Sequence, residues 1–145
     1  MKIQSLLLWV SIIMSITNIS QATEVNIEIS GVDVNRGGSI IVMIFAEDGF
    51  PKKHDKALFI QSDSKLRETM EFEFDLNIDE IAVKVLHDEN NDGKVTKNWT
   101  GIYPKDGLGF SNEQKVSLRG APIYKNSKLS KEEFEDGLTI SILYP

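Results

Sequence analysis

Asp88, Asn90 and Asp92 place a side-chain oxygen at every second position, Gly93 follows, and Lys94 offers its backbone carbonyl. That order matches the first, third, fifth, sixth and seventh places of a calcium loop, in which carboxylate and amide oxygens wrap a hard cation. The ninth and twelfth places hold Thr96 and Trp99, so the bidentate glutamate that completes such a loop is missing. A bound Ca2+ would need oxygens from Glu89, Asp106, Asn112 or water, and its affinity would sit near about 10⁻⁴ to 10⁻³ M. The same residues also spell a tight turn, because Asn and Asp side chains bond nearby backbone and Asn-Asp-Gly accommodates positive φ.

His87 precedes this loop, and with Asp88 it has the chemistry of a zinc ligand or an acid-base pair. The second histidine, His54, lies in Lys52-Lys53-His54-Asp55-Lys56, whose charge reads as a solvated loop. The chain has no cysteine, no Gly-x-Ser-x-Gly elbow and no paired-histidine metal spacing, so no complete catalytic constellation is present. A metal-dependent hydrolase would have to use His87, Asp88 and Asp92 around one cation. Trp99, Tyr103 and Phe110 follow in a loop-rich stretch, where they would either form a platform for a sugar ring or a partner's apolar side chain, or fold inward to cap the fold. Asn98-Trp99-Thr100 fits a glycosylation acceptor, which matters only in a eukaryotic secretory pathway.

The elements that must position these residues are strands. Val25, Ile27 and Ile29 alternate with polar residues, and Met70, Phe72, Phe74 and Leu76 alternate with Glu71, Glu73 and Asp75, the period of a strand with one buried face. Residues 39–46 are apolar on both faces and predict a central strand. Residues 81–87 and 138–144 complete five strands, and 57–60 and 115–118 are weaker candidates. Gly49-Phe50-Pro51 reads as a turn, and 101–112 as a glycine-rich surface segment beside the Asp88–Lys94 loop. Ser130 and Glu133 have capping-box spacing for a short helix that Gly137 would end. About seven short strands in one domain predict an all-β, antiparallel, immunoglobulin-like or transthyretin-like sandwich.

Residues 1–22 read as a signal peptide: Lys2, an apolar stretch from Leu6 to Ile16, and Ser20-Gln21-Ala22 as a cleavage site. Its removal leaves residues 23–145 as a single domain, secreted or periplasmic, with no membrane insertion expected thereafter. Without Lys2 there are 15 basic against 22 acidic residues, which disfavours nucleic acid or an anionic membrane surface as partner. With no cysteine there is no disulfide, so stability must come from the core.

Val42 to Phe45, Gly49-Phe50-Pro51, the run from His87 to Lys94, Gly101-Ile102, Gly107 to Asn112, Ala121-Pro122 and Leu143-Tyr144 resemble the secreted bacterial family called domain of unknown function 2141. The resemblance covers nearly all of the mature chain. It implies a small exported β-sandwich and carries over no catalytic residue, substrate or cofactor. Thr96 stands where members usually have an acidic residue, and Gly101-Ile102-Tyr103-Pro104 where they have Gly-Ile-Pro. The first departure removes a cation ligand and the second lengthens the loop. The expectation is therefore a non-enzymatic exported module that contacts a protein or glycan of the cell envelope or exterior. The alternatives are the metal-dependent hydrolase and a purely structural assembly unit.

Overall fold

The computed structural model describes residues 21–145, so the expected leader lies outside the described residues except for its last two. Eight strands follow: β1 (Thr23–Ser30), β2 (Ser39–Phe45), β3 (Phe59–Asp63), β4 (Thr69–Leu76), β5 (Glu80–Asp88), β6 (Gly107–Phe110), β7 (Leu129–Ser130) and β8 (Leu138–Ser141). The sheets run β4-β1-β8 and β3-β2-β5-β6, with β7 beside the start of β5. All pairings are antiparallel except β1 with β8. The chain is thus a mostly-β sandwich, as its alternation predicts.

Between the sheets lie Val25, Ile27, Ile29, Phe72 and Phe74 from one side and Ile40, Val42, Ile44, Val83 and Val85 from the other. Each fully buried side chain of this size contributes about 1.5–3 kcal/mol relative to exposure. Strands β2 and β5 are buried on both faces because a second apolar layer covers the outer side of their sheet: Met43, Phe45, Leu86, Leu108 and Phe110, joined by Phe50, Ala57, Val95 and Val116 from the connecting loops. Among the described residues, both layers run from Val25 to Tyr144. The outer face of the other sheet is acidic. Glu24 faces Asp75 and Glu28 faces Glu71 across β1 and β4, and neither strand carries a basic residue.

Four expectations change, the first being that the last strand, expected over 138–144, ends at Ser141. Residues 115–118 are not a strand; Ser117 and Gly120 exchange backbone hydrogen bonds of 3.0 and 2.9 Å in a turn. The weak strand at 57–60 begins at Phe59 and runs to Asp63. Gly107–Phe110 is not surface loop but a buried strand paired with β5. Its glycines serve close approach: a Cβ on Gly107 would lie 2.4 Å from the Tyr144 ring, and one on Gly109 2.8 Å from Ile140. The capping box forms as expected at a short helix, α1 (Lys131–Phe134), where the Ser130 N–H donates to Glu133 Oε2 at 2.7 Å.

Candidate functional site

The second apolar layer is not completely filled. Over it opens a cavity of about 750 Å³ between the Pro51–Asp55 turn, the Asp92–Pro104 loop and the Val116–Ala121 turn. Its apolar walls are Val95, Ile102, Leu108, Phe110 and Val116, and five lysines and two aspartates also line it. One of those lysines is Lys84, on the outer face of β5 between Met43 of β2 and Phe110 of β6 in the strand register.

Lys84 is only 3 % exposed. Its Nζ donates to the Pro51 carbonyl at 2.9 Å and lies 2.8 Å from Nε2 of His54. The other ring nitrogen, Nδ1, lies 2.9 Å from the Gly93 carbonyl. A carbonyl only accepts, so Nδ1 carries the hydrogen and Nε2 accepts from Lys84. Among the described residues no carboxylate stands within ion-pair distance of Lys84. Burial brings its pKa down to about 8. Burial and then the Lys84 charge hold His54 below the ordinary imidazole value. The sequence placed His54 in a solvated loop. Its neighbouring lysines are exposed, but the His54 ring turns in over β5, and no local pattern announces that contact.

The Asp88–Lys94 loop braces this arrangement through its backbone. Asp88 is buried, and its two oxygens accept from the Asp92 N–H at 3.2 Å and the Gly93 N–H at 2.7 Å. Asp92 Oδ1 accepts from the Lys94 N–H at 2.8 Å, and Asn90 Nδ2 donates to Asp92 Oδ2 at 2.9 Å. These bonds, the backbone one first, lower the Asp92 pKa. Asn91 takes φ 56° and Gly93 φ 71°, the left-handed turn geometry that Asn and Gly accommodate. Of the further oxygens considered from sequence, Glu89 pairs with Arg36 at 2.7 Å, Asp106 accepts from the Thr96 N–H at 2.5 Å, and Asn112 donates to the Asn126 carbonyl at 2.7 Å. Burial raises the Asp106 pKa, with the Thr96 bond opposing. Among the described residues no group of three or more His, Asp or Glu side chains is placed to hold a metal ion.

His87 and Asp88 leave β5 on opposite faces, as strand neighbours must. His87 is fully buried: Nε2 lies 2.7 Å from the Gly37 carbonyl and Nδ1 2.7 Å from the Tyr144 hydroxyl. That hydroxyl also accepts from the Asp33 N–H at 2.9 Å, and Arg36 lies over the Tyr144 ring at 4.4 Å. The histidine thus locks the C-terminal segment to the turn at residues 33–37.

The three aromatics separate. Phe110 is buried and packs edge-on to Phe50 at 6.3 Å, Tyr103 is exposed, and Trp99 is 97 % exposed at a loop tip. Leu118, 91 % exposed, tips the turn on another side of the cavity.

The sequence pattern of one family, described as an uncharacterized protein conserved in bacteria (DUF2141), matches residues 27–136. The chain belongs to this family. No curated protein and no solved structure matches it. The match to DUF2141 runs from β1 through α1, so it takes in His54, Lys84, the Asp88–Lys94 loop and the cavity walls together.

Proposed function

We propose that the chain is an exported, non-enzymatic binding module whose ligand seat is the cavity over the outer face of β2, β5 and β6. One observation carries this reading: about 750 Å³ of space walled by apolar side chains, with Lys84 and His54 converging on its floor. Mostly apolar concavities with a few fixed polar groups are the usual form of small-ligand sites, and this volume lies within their ordinary range. The seat is built outside the main core, so a ligand can occupy it without opening the sandwich. Trp99 and Leu118 stand at the tips of two loops that bound it, available to close over a ligand or to meet a protein or glycan. The hydrolase reading has less support, because His87 is committed to Tyr144 and Gly37 on the inner face, away from Asp88 and Asp92.

The test uses residues 21–145 and Nile red, a neutral fluorescent probe of apolar cavities. Enhanced emission that is lost in Ile102→Arg and in Ala121→Trp, both at the cavity wall, supports the seat. Equal emission from the wild type and both variants would reject it.

A further inference from the structure

Resting on that cavity as a ligand seat, we propose that its ligand is a carboxylate with an apolar tail, the head accepting from the Lys84 ammonium and the tail lying along Val95, Ile102, Leu108 and Phe110. An ammonium has three N–H donors, and two of those on Lys84 are taken, by the Pro51 carbonyl and by His54 Nε2. Both partners are neutral. One donor and one whole positive charge are left in a nearly water-free position.

Burying a charge without a counter-ion is among the most expensive arrangements in a protein, and proteins normally relieve it by pairing. Among the described residues no acid pairs with it. Of the two aspartates that line the cavity, Asp92 holds its own turn through Lys94 and Asn90, and both lie exposed to solvent. The strand register makes the charge more conspicuous, because Met43 and Phe110 flank Lys84 and an apolar residue would suit that slot. An anion from outside the described residues would supply the acceptor for the third N–H.

The remaining donor selects the kind of anion. One N–H suits a singly charged head, and a carboxylate can direct its second oxygen to Lys52, Lys53, Lys94 or Lys97 around the cavity or to water. A phosphoryl group needs several convergent donors, which the floor does not offer. A cationic head would meet five lysines, and a neutral polyol would leave the Lys84 charge unpaired. The walls select the rest of the molecule, since apolar side chains from β6 and two loops favour a hydrocarbon body.

Competition against bound Nile red tests this with decanoate, decan-1-ol and decyltrimethylammonium on residues 21–145. Decanoate should displace the probe roughly tenfold or more tightly than decanol, the size of a charge-assisted hydrogen bond. Decyltrimethylammonium should be the weakest of the three. Lys84→Met should retain Nile red and lose the preference for decanoate, Lys84→Arg should keep part of it, and a Lys52→Ser, Lys53→Ser variant should keep most of it. Nile red binding with equal displacement by decanoate and decanol overturns the carboxylate assignment and leaves the seat standing. A preference that survives Lys84→Met and vanishes in the Lys52, Lys53 variant overturns Lys84 as the counter-ion. No Nile red binding at all removes the seat itself. If Lys84→Met does not fold, the three-compound comparison on the wild type decides alone.

Discussion

Nζ of Lys84 lies 2.8 Å from Nε2 of His54, a cation against a neutral ring and not against an acid. Because the other side of that ring donates to Gly93, one imidazole ties the middle of β5 to the loop that leaves its end. The Asp88 carboxylate holds that loop in turn by accepting the Gly93 N–H. The four residues form one chain of contacts from a strand floor to a loop brace, and most of the expected behaviour follows from it.

Stability should rise as pH climbs from about 8 toward 10. Lys84 in the folded chain releases its proton near pH 8, whereas the unfolded chain holds it to the ordinary lysine value of 10.5. Between those values the unfolded state binds more protons, so unfolding becomes harder as pH rises. The charge costs the folded state about 3 kcal/mol below pH 8. Thermal melts of residues 21–145 should show Tm climbing by several degrees over this range. Lys84→Met should start higher at pH 7 and stay flat. Parallel curves for the two proteins would mean that the charge is not desolvated. Above pH 10 the tyrosines reverse the trend, because burial raises Tyr124 to about 12 and pushes Tyr144 in the same direction.

Tyr144→Phe should cost about 1–3 kcal/mol, since removing the hydroxyl leaves His87 Nδ1 and the Asp33 N–H without their partner. Chemical denaturation measures this. A change below about 0.5 kcal/mol, typical of unremarkable surface sites, would show that water replaces the hydroxyl freely.

Asp88→Ala should lower Tm equally in calcium and in chelator, because the carboxylate accepts two backbone N–H groups of its own loop. It should also weaken Nile red emission, since the Gly93 carbonyl that orients His54 loses its brace. Calorimetric titration of calcium into chelator-treated wild type gives the opposing outcome: saturable heat lost in Asp88→Ala, Asp92→Ala would assign the loop to a cation.

Gly109→Val should destabilise by about 1–3 kcal/mol, as overpacking does. The new side chain would meet Ile140 and the Ser141 carbonyl, where a Cβ alone comes within 2.8 and 2.9 Å. An unchanged denaturation midpoint would mean that β6 and β8 are not so closely packed.

The strands that alternate cleanly were legible because one buried face imposes a period of two: β1 and β4 match their pattern residue by residue. Residues 39–46 were legible as central for the opposite reason, an apolar run that has to be covered twice. Gly107–Phe110 was hidden, because its glycines read as a surface loop and their actual use, letting Tyr144 and Ile140 pass close by, depends on a distant segment. The candidate site was half visible. The Asp88–Lys94 loop stood out by spacing, but its contribution runs through a backbone carbonyl, which no side-chain motif encodes. Lys84 was masked inside an otherwise apolar strand, and His54 inside a run of charge. Their meeting across 30 residues of sequence is a property of the fold.

The acidic outer face of β1 and β4 and the lysine-lined cavity belong to the outer sides of different sheets. Such a separation gives the molecule a front and a back for anything negatively charged that diffuses toward it. Potentials of this kind act over about 8 Å at physiological ionic strength and govern the rate of encounter more than the length of stay. Added salt should therefore slow the capture of an anion while leaving its escape, set by the dry contact at Lys84, nearly untouched.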